Sequence, residues 1–434
     1  MLSPNDYLTG VRGEIWQHLV EELIPFWHQR SVDRQFGGYL TEFDAEGQPI
    51  LERTEKCLVM QARMVWSFAR FSRFMAQYNL PNDGLLEAAC QGVDFLLAHL
   101  WDEQYGGWFW QSTRDGMVNQ DNKVTYGQSF AIYGLSEYTL ATGDARGLNY
   151  ASLTFDLLQR YGVDVVHGGY YERFARDWTP QSGDHFTHNR KSLNTHMHLM
   201  EAFTTLAQVS QQAVHARRLQ EMIELIVTRM IESDSGAGHD WFALDFTPQL
   251  SDEVTLHWRI DGKTQEIAQP LNPPVFLNSY GHDVELAWLL VRAGEVLGQP
   301  RDTYLDAARG LANNTLEHGL DRKYGGLYRD GQHHGPALFK QKEWWQQAEA
   351  LIGLLDLYEI TDNVEYLEGF RLVWDFVNRY MINHVVGEWR CLLAEDGQPI
   401  QADLGHYWKG AYHTGRAMIE VLQRIDLILD QSSS

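Results

Sequence analysis

Apolar residues recur at helical spacing in twelve segments of the chain. Leu86, Cys90, Val93 and Leu97, for example, follow one another at intervals of three or four residues, as on one face of an α-helix. Read in this way, the sequence predicts helices near 10–28, 56–78, 84–100, 124–141, 147–161, 191–208, 213–232, 281–297, 302–317, 341–360, 365–381 and 409–427.

A glycine followed by an aromatic-rich stretch occurs six times, once for each pair of helical segments. The copies begin 69, 62, 70, 87 and 62 residues apart, and this near-constant period is typical of a repeat architecture. Strand-like residues and an Asp-Gly or Glu-Gly turn often come next, which predicts short β-hairpins. The six signatures are Gly37-Gly38-Tyr39, Gly106-Gly107-Trp108, Gly168-Gly169-Tyr170, Gly238-His239-Asp240-Trp241, Gly325-Gly326-Leu327-Tyr328 and Gly387-Glu388-Trp389.

Six copies of helix, hairpin and helix cannot each bury their own apolar face, but a ring of six can. The sequence therefore predicts an all-α fold, an (α/α)6 barrel of six inner and six outer helices with short β-hairpins at one mouth. We expect one catalytic domain over 1–434, because no Ser-, Pro- or Gly-rich linker interrupts the period. The longest interval indicates an inserted loop at about 246–279, and the tail at 431–434 is expected to be disordered.

Composition narrows the range of partners. A net charge of -23 argues against nucleic acid and against an anionic membrane surface, since both bind basic proteins. We expect neither a transmembrane helix nor a secretory signal, because the apolar runs are short and the N-terminal stretch lacks the basic and apolar regions of a signal. Three scattered cysteines fit a reducing cytoplasm without disulfides. A monomer and a homodimer both remain open.

Polar and aromatic residues stand near the start of each helix that follows a hairpin. Counted from the signature glycine, the key residue lies 26, 20, 30, 44, 20 and 26 residues on. Equivalent positions on six radially arranged helices should converge on one mouth of the barrel. The residues are Arg63, Tyr126, Asn194 with His198, His282 with Glu285, Trp345 with Glu349, and Trp408 with His413.

This inventory indicates acid/base chemistry on a carbohydrate without a cofactor. Aromatic faces stack on sugar rings, and histidine transfers protons near neutral pH. Two histidines can remove and return a proton beside a carbonyl while an arginine stabilises the enediolate between the two steps. Glu285 lies three residues after His282 and is a candidate to orient that imidazole.

Five ordered stretches resemble the motifs of the N-acylglucosamine 2-epimerase superfamily, and most closely its cellobiose 2-epimerase and mannose 2-epimerase branch. The resemblance spans about residues 10–428. The stretches are Gln61-Ala62-Arg63-Met64-Val65-Trp66, Lys191-Ser192-Leu193-Asn194-Thr195-His196-Met197-His198, Ser279-Tyr280-Gly281-His282-Asp283-Val284-Glu285, Trp344-Trp345-Gln346-Gln347-Ala348-Glu349-Ala350 and Trp408-Lys409-Gly410-Ala411-Tyr412-His413.

The resemblance implies a barrel enzyme that inverts C2 of a reducing-end glucose or mannose unit and needs neither metal nor nucleotide. It implies that His282 and His413 are the acid/base pair. Arg63 would hold the oxygens around C1 and C2, and His198 would assist binding or ring opening. Residues that bind the substrate or support its pocket are implied at Tyr126, Asn194, Glu285, Trp288, Trp345, Glu349 and Trp408.

Several alternatives stay open. The 246–279 segment is longer than the family leads us to expect, so a cellobiose-type disaccharide and free mannose or glucose are both possible substrates. An aldose-ketose isomerase that makes fructose, a glycoside hydrolase on the same barrel and a non-catalytic sugar-binding protein are the competing functions. For Arg63 the competing interpretation is an internal ion pair with a carboxylate. No catalytic metal is expected, because His196 and His198 alternate faces of a helix and His333-His334 is expected to be solvated.

Overall fold

The computed structural model describes residues 3–181, 189–260 and 263–433. π-helical turns join α1 to α2 at His18–Leu23 and end four other helices at Leu96–Leu100, Leu158–Gly162, Thr315–Gly319 and Val377–Met381. When α1 and α2 are counted as one, the described ranges contain twelve helices, at the twelve predicted places. The α-helices are α1 (Pro4–Gln17), α2 (Ile24–Arg30), α3 (Leu58–Gln77), α4 (Leu85–Phe95), α5 (Thr125–Thr142), α6 (Ala145–Leu157), α7 (Leu193–Ser210), α8 (Ala213–Arg229), α9 (Tyr280–Val296), α10 (Leu305–Asn314), α11 (Trp344–Thr361), α12 (Val364–Phe376) and α13 (Tyr412–Ser433).

The helices form a closed double ring, which confirms the predicted (α/α)6 barrel. Each of the inner helices α3, α5, α7, α9, α11 and α13 contacts the next, and α13 contacts α3. The outer helices pack against the inner ring, as α4 does on α3 and α12 on α11. Inner helices are buried on every face, whereas the outer helix α8 buries only one stripe, which includes Leu219, Met222, Ile223 and Ile226.

Short strands line the mouth at which the inner helices begin. The strand before an inner helix pairs with the hairpin of the following repeat, as β1 does with β2 and β6 with β7, so the sheets join neighbouring repeats. A bridge between Phe43 and Gly405 closes the same circle. The strands are β1 (Lys56–Cys57), β2 (Gln111–Ser112), β3 (Val118–Gln120), β4 (Lys123–Val124), β5 (Arg173–Phe174), β6 (Arg190–Ser192), β7 (Trp241–Ala243), β8 (Ser251–Ile260), β9 (Lys263–Val275), β10 (Leu277–Ser279), β11 (Asp330–Gln332), β12 (Ala337–Phe339), β13 (Lys342–Glu343), β14 (Ile382–Asn383), β15 (Glu388–Trp389), β16 (Leu392–Leu393) and β17 (Pro399–Gln401).

A buried lysine precedes five of the six inner helices and pairs with a buried carboxylate. In the fifth repeat, Lys342 Nζ lies 2.7 Å from Asp321 Oδ2 and donates to the carbonyls of Gly325 in its own turn and Glu395 in the next hairpin. One side chain thus joins an outer-helix end, a signature turn and the neighbouring repeat. We call this arrangement the lysine lock. Its pairs are Lys56–Asp33, Lys123–Asp102, Lys191–Asp164, Lys342–Asp321 and Lys409–Glu388.

A side chain five residues after the lysine clamps the signature turn. Gln61 Oε1 accepts from Tyr39 N at 2.8 Å, and its amide donates to the Tyr39 carbonyl. Gln128 and Gln347 repeat this pair of bonds. The turn requires glycine, because Gly38 has a φ of +61° and a Cβ there would lie 2.6 Å from Gln61 Oε1.

The fourth repeat departs from this pattern. Its turn begins at Gly236 rather than at Gly238, because Gly236 has positive φ and Gly236 N donates to the Glu232 carbonyl, as Gly37 N does to that of Asp33. The predicted signature is therefore two residues too late. Asn278 stands where the other repeats carry lysine, and its amide donates to Gly238 O and to Asp283 Oδ2.

The inserted segment is a β-hairpin of β8 and β9 whose tip, 261–262, lies outside the described residues. Val254, Leu256 and Leu271 pack on Phe339 and Leu392, so the hairpin rests on strands of the fifth and sixth repeats at the mouth. At the other end of the chain, 431–433 of the tail form the last turn of α13, and 434 is outside the described residues. None of the described helices combines the length and the apolar composition needed to span a bilayer.

We predict that Lys342→Met lowers the free energy of unfolding by about 3 kcal/mol, because Asp321 would keep its charge in a buried site without a cation. Lys340→Met is the matched control. This lysine is two residues away and its side chain is exposed. Its pair with Glu395 and its contact with the Tyr328 ring lie at the surface, so we expect a change within about 0.5 kcal/mol. Urea denaturation at pH 7 measures both; equal losses in the two variants would contradict the lock.

We predict that His196→Gln removes part of the acid sensitivity of the fold. His196 takes the place of the clamping glutamine: Nδ1 lies 2.8 Å from Ser192 O and Nε2 accepts from Tyr170 N. Burial lowers the pKa of His196 from 6.5 to about 4. The unfolded chain therefore binds the proton first, and stability present above pH 6.5 is lost as the pH falls towards 4.

The predicted loss from this histidine between pH 7 and pH 5 is about 2 kcal/mol. Unfolding free energies of the wild type and His196→Gln, measured at both pH values, should differ by that amount in their pH dependence. The same pH dependence in both proteins would show that His196 is not responsible.

Candidate active site

A cavity of about 470 Å3 opens at the mouth, between the first turns of the inner helices. Nine of the eleven residues singled out in the sequence line it: Arg63, Tyr126, Asn194, His198, His282, Glu285, Trp345, Trp408 and His413. The other two, Trp288 and Glu349, lie below the wall and reach the cavity through His413. The sequence pattern thus identified one contiguous site.

Six equivalent helix positions form the floor of this site. Each lies seven residues after the lysine of the lock, or after Asn278 in the fourth repeat: Arg63, Phe130, His198, Glu285, Glu349 and Arg416. Phe130 and Arg416 escaped the sequence reasoning, which counted from the glycines, where loop lengths vary. Counting from the lysine keeps the interval constant and would have found both.

His413 is held by a carboxylate. Its Nδ1 lies 2.7 Å from Glu349 Oε1, while the other Glu349 oxygen accepts from Trp288 Nε1 at 3.1 Å. Burial, together with the nearby charges of Arg63 and Arg416, holds the pKa of His413 well below its usual value. His413 is therefore neutral at neutral pH. With Nδ1–H donating to Glu349, Nε2 carries the lone pair that a base needs.

His198 has the same kind of support. Its Nδ1 lies 2.8 Å from Glu201 Oε2, and burial lowers its pKa to about 4. Its ring meets Tyr126 edge-on, with centroids 5.3 Å apart. Glu201 is a second residue that the sequence reasoning missed; it lies on the same face of α7, three residues after His198.

Arg416 ties these supports together. Its guanidinium donates to Glu285 Oε1 at 2.6 Å and to Glu349 Oε1 at 2.8 Å, and it also pairs with Glu201. One cation thus faces three buried carboxylates. Burial and the neighbouring Glu349 raise the pKa of Glu285 far above its usual value, so Glu285 is the carboxyl that keeps a proton.

Glu201 remains ionised in this network. Burial alone would raise its pKa, but Arg416 and His198 hold it at about 2. Arg416 is thus shared by Glu201, which is ionised, by Glu285, which keeps a proton, and by Glu349, whose pKa is raised by burial. Glu285 therefore contacts Arg416, whereas the sequence suggested that it orients the His282 imidazole.

His282 has a different environment. Its ring lies against the Trp345 indole, with centroids 4.8 Å apart, and its Nδ1 is 4.0 Å from Asp240 Oδ1. It is more exposed than His413, whose ring centroid lies 5.9 Å from that of Trp345. Two imidazoles therefore approach the same indole, and Asp240 is the carboxylate nearest to His282. The sequence reasoning took Asp240 only as part of a signature.

Arg63 projects into the cavity without a carboxylate partner among the described residues. Its Nη2 donates to Tyr126 Oη at 2.8 Å and its Nη1 to the Trp408 carbonyl at 3.3 Å. The guanidinium carbon lies 4.2 Å from the centroid of Phe130. Its positive charge is therefore available to an anionic group of a ligand, and the internal ion pair considered from sequence is absent from the described part of the chain.

Further groups are placed to read a ligand. Asn194 Oδ1 is buried at the cavity and has no hydrogen-bond partner among the described residues. Trp345 is fixed by a hydrogen bond from its Nε1 to Glu343 Oε2 at 2.7 Å. Trp408 stands at the rim with 41% of its surface exposed. The site thus offers an unsatisfied acceptor and two indole faces.

A second cavity of about 490 Å3 adjoins the first. The two share Arg329, Glu343, Trp344, Trp345 and Trp408. The outer cavity also touches His257 on β8, so the inserted hairpin forms part of its wall. Together the two cavities form a cleft that extends from His282 and His413 to the inserted hairpin.

Metal-ligand residue types occur in the floor, in the groups His198, Glu201, Glu285 and Glu285, Glu349, His413. Arg416 already bonds all three carboxylates of these groups. A guanidinium therefore holds the place that a cation would take, and the floor is suited to orienting imidazoles.

We predict opposite outcomes for the same substitution at two carboxyls of the floor. Glu285→Gln replaces a neutral acid by a neutral amide and should change the free energy of unfolding by less than about 1 kcal/mol. Glu201→Gln removes an ionised partner of Arg416 and should cost about 3 kcal/mol. Urea denaturation at pH 7 measures both, and a greater loss in Glu285→Gln would reverse the charge assignment.

Comparison with known proteins gives one consistent result. The model of the N-acylglucosamine 2-epimerase (GlcNAc 2-epimerase) family matches residues 38–417. A cellobiose 2-epimerase of Bacteroides fragilis is 28% identical over 430 residues, covering 95% of this chain and 98% of the relative. A D-mannose isomerase of Marinomonas mediterranea is 25% identical, covering 94% and 96%. The solved structure of cellobiose 2-epimerase from Spirochaeta thermophila DSM 6192 superposes with a TM-score of 0.84 at 31% identity, covering 99% of this chain and 100% of that one.

Proposed function

Because the chain belongs to the N-acylglucosamine 2-epimerase family, we propose that it inverts C2 of a glucose or mannose unit at the reducing end of a sugar, without a cofactor. It is a carbohydrate epimerase of the isomerase class. The observation that carries the finer proposal is the placement of His282 and His413 on one indole, Trp345, at the same cavity.

The proposed reaction begins with the open-chain aldose in the inner cavity. One histidine, as the neutral base, takes the proton from C2, and the electron pair of the C–H bond becomes the C1–C2 double bond of a cis-enediolate. The negative charge that develops on O1 faces Arg63, whose guanidinium makes no carboxylate pair among the described residues. Stabilising such a developing charge lowers the barrier to proton removal.

Inversion then requires a proton from the other side. The C2–C3 bond rotates, and the second histidine, as the imidazolium, gives its proton to the opposite face of C2. The two rings exchange roles in the reverse reaction, and solvent resets their protons between turnovers.

The carboxylates have a positioning role in this scheme. Glu349 holds Nδ1 of His413, and Asp240 lies beside Nδ1 of His282, so each ring can turn Nε2 towards the sugar. His198, held by Glu201, is proposed to bind the sugar or help open its ring. Asn194 Oδ1 would accept a hydrogen bond from a sugar hydroxyl, and Trp345 and Trp408 would stack on sugar faces.

We propose a disaccharide of the cellobiose type as the preferred substrate, ahead of free mannose or glucose. The inner cavity accommodates the reacting unit, and the adjoining outer cavity of about 490 Å3 offers room for a second ring. Trp408 borders both cavities and can stack between the two units. The relatives named cellobiose 2-epimerase support this choice.

We also propose that the chain works as one catalytic domain in the cytoplasm. All six repeats contribute to a single closed ring, and residues from all six inner helices form the floor of one site. Cys57, Cys90 and Cys391 are free thiols, which fits a reducing compartment.

We predict that His282→Asn and His413→Asn each lower kcat at least about a thousandfold, since each removes a proton-transfer group. Sugar binding, measured by calorimetry, should persist within about tenfold. His384→Asn is the control, because His384 is exposed and outside the cavity. Epimerisation that survives in either cleft variant at a tenth of the wild-type kcat would overturn the two-histidine scheme.

Proton NMR in D2O with cellobiose, mannose and glucose in separate samples tests the substrate. We expect cellobiose to give its mannose-ended epimer, with deuterium at C2. Conversion of mannose and glucose alone would point to a monosaccharide epimerase, fructose to an isomerase, and cleavage of the glycosidic bond would exclude an epimerase.

The same assay separates the two cavities. We predict that His257→Ala raises KM for cellobiose roughly tenfold, the effect of losing about 1.4 kcal/mol of contact, and leaves KM for mannose unchanged. An equal change for both sugars would mean that the hairpin does not contact a second ring.

A further inference from the structure

A carboxylate and two imidazoles from three separate segments meet outside the cleft. Glu232 follows α8, His239 belongs to the fourth signature, and His333 lies in the turn between β11 and β12. The two rings stack with centroids 3.8 Å apart and planes at 8°, and His333 Nδ1 lies 3.8 Å from Glu232 Oε2. One nitrogen or oxygen atom of each residue lies within 4.8 Å of the others. His333 was expected to be solvated, but its side chain is only 7% exposed.

In the fourth repeat, which lacks the lysine of the lock, Glu232 occupies the position that the buried aspartate has in other repeats. Its backbone bonds match those of Asp33, whose carboxylate pairs with Lys56. In the fourth repeat the amide of Asn278 replaces the ammonium and bonds to Gly238 and Asp283 instead. The Glu232 carboxylate accepts from the Ser235 hydroxyl and faces His333. A cation is thus missing from this repeat where others have one.

The two imidazoles leave a ring nitrogen of His239 without a partner among the described residues. His239 is 6% exposed, and its buried Nδ1 has no hydrogen-bond partner among the described residues, which is an unfavourable state for a polar atom. His333 Nε2 lies 3.4 Å from the Ala237 carbonyl oxygen, and its Nδ1 faces the Glu232 carboxylate at 3.8 Å. A cation between the His333 ring and the Glu232 carboxylate would be attracted by both.

We infer that Glu232, His239 and His333 form a binding site for a divalent transition-metal ion of the Zn2+, Co2+ or Ni2+ type. Two imidazole nitrogens and one carboxylate oxygen are the ligands that these ions prefer, whereas Ca2+ and Mg2+ prefer oxygen ligands. Glu232 is half exposed, so water can complete the coordination from the solvent side. The two rings are parallel, so coordination of one ion by both requires His333 to rotate about χ2, which opens the ring stack.

The ion would brace the wall behind the cleft. It joins the end of α8, the fourth hairpin and the turn after β11, three segments that the lysine lock would otherwise hold. Asp240, which lies beside His282, and Trp241, which lines the inner cavity, directly follow His239. The site is therefore structural and separate from the proton-transfer residues. Unlike the carboxylates in the floor of the cleft, Glu232 is bonded by no guanidinium among the described residues.

The test uses the untagged full-length chain after chelator treatment and removal of the chelator. Calorimetric titration with ZnCl2 should give one ion per chain, and Co2+ should show visible absorption typical of nitrogen ligation. Added Zn2+ should raise Tm, because an ion that binds only the folded chain stabilises it.

Three variants locate the ion. Glu232→Gln and His333→Ala should each weaken Zn2+ binding at least tenfold and abolish the rise in Tm. Glu232 is half exposed, so its variant should fold even if His333→Ala does not. His384→Ala is the matched control, because His384 is an exposed histidine that also faces a carboxylate, Glu22, at 3.9 Å; it should bind Zn2+ as the wild type does.

Two results would overturn the site. One is the absence of stoichiometric binding to the wild type by calorimetry and by Co2+ absorption. The other is wild-type affinity in both Glu232→Gln and His333→Ala, which would place any bound ion elsewhere. Neither readout depends on epimerase activity, so the metal site and the proposed function can fail separately.

Discussion

The buried ion pair of the lysine lock is the interaction on which the rest of the structure depends. Lysine and aspartate are costly to bury, and here each ammonium is satisfied by one carboxylate and by main-chain carbonyls. For Lys56, Lys191 and Lys342 those carbonyls belong to two successive repeats, so the same side chain holds a turn shut and joins it to the neighbouring hairpin. The lysine stands two residues before the inner helix in four repeats and three residues before α13, so it also fixes where that helix begins at the mouth.

A fixed start gives the site its geometry. The residues seven positions after the locks reach the same level of the barrel, where Arg416 meets carboxylates from three other helices. This level is too crowded with like charge for every carboxyl to ionise, and Glu285 takes up the proton. Glu201 and Glu349 then hold the Nδ1 atoms of His198 and His413. The arrangement gives neutral imidazoles in fixed orientations.

The fourth repeat is where the chain departs from this symmetry and where the site acquires its particular character. It lacks the lysine, carries the inserted hairpin and supplies His282, the more exposed of the two proposed acid/base residues. Its hairpin forms part of the outer cavity through His257, and its turn brings Glu232 close to two histidines. Loss of one lock thus accompanies two features that the other five repeats do not share.

The sequence by itself determined the barrel, because helical periodicity and a repeated glycine signature depend on local spacing, which is visible in the sequence. It also identified the cavity residues, since equivalent positions in a ring must converge. It did not identify Asp240, Glu201 or Arg416 as partners of the site, and it suggested His282 as the partner of Glu285. Only the tertiary structure decided those pairings and which carboxyl keeps its proton. Hydrogen-bond partners that are more than a hundred residues apart, such as Arg416 and Glu285, depend on how the ring closes and on the shared desolvation of the floor.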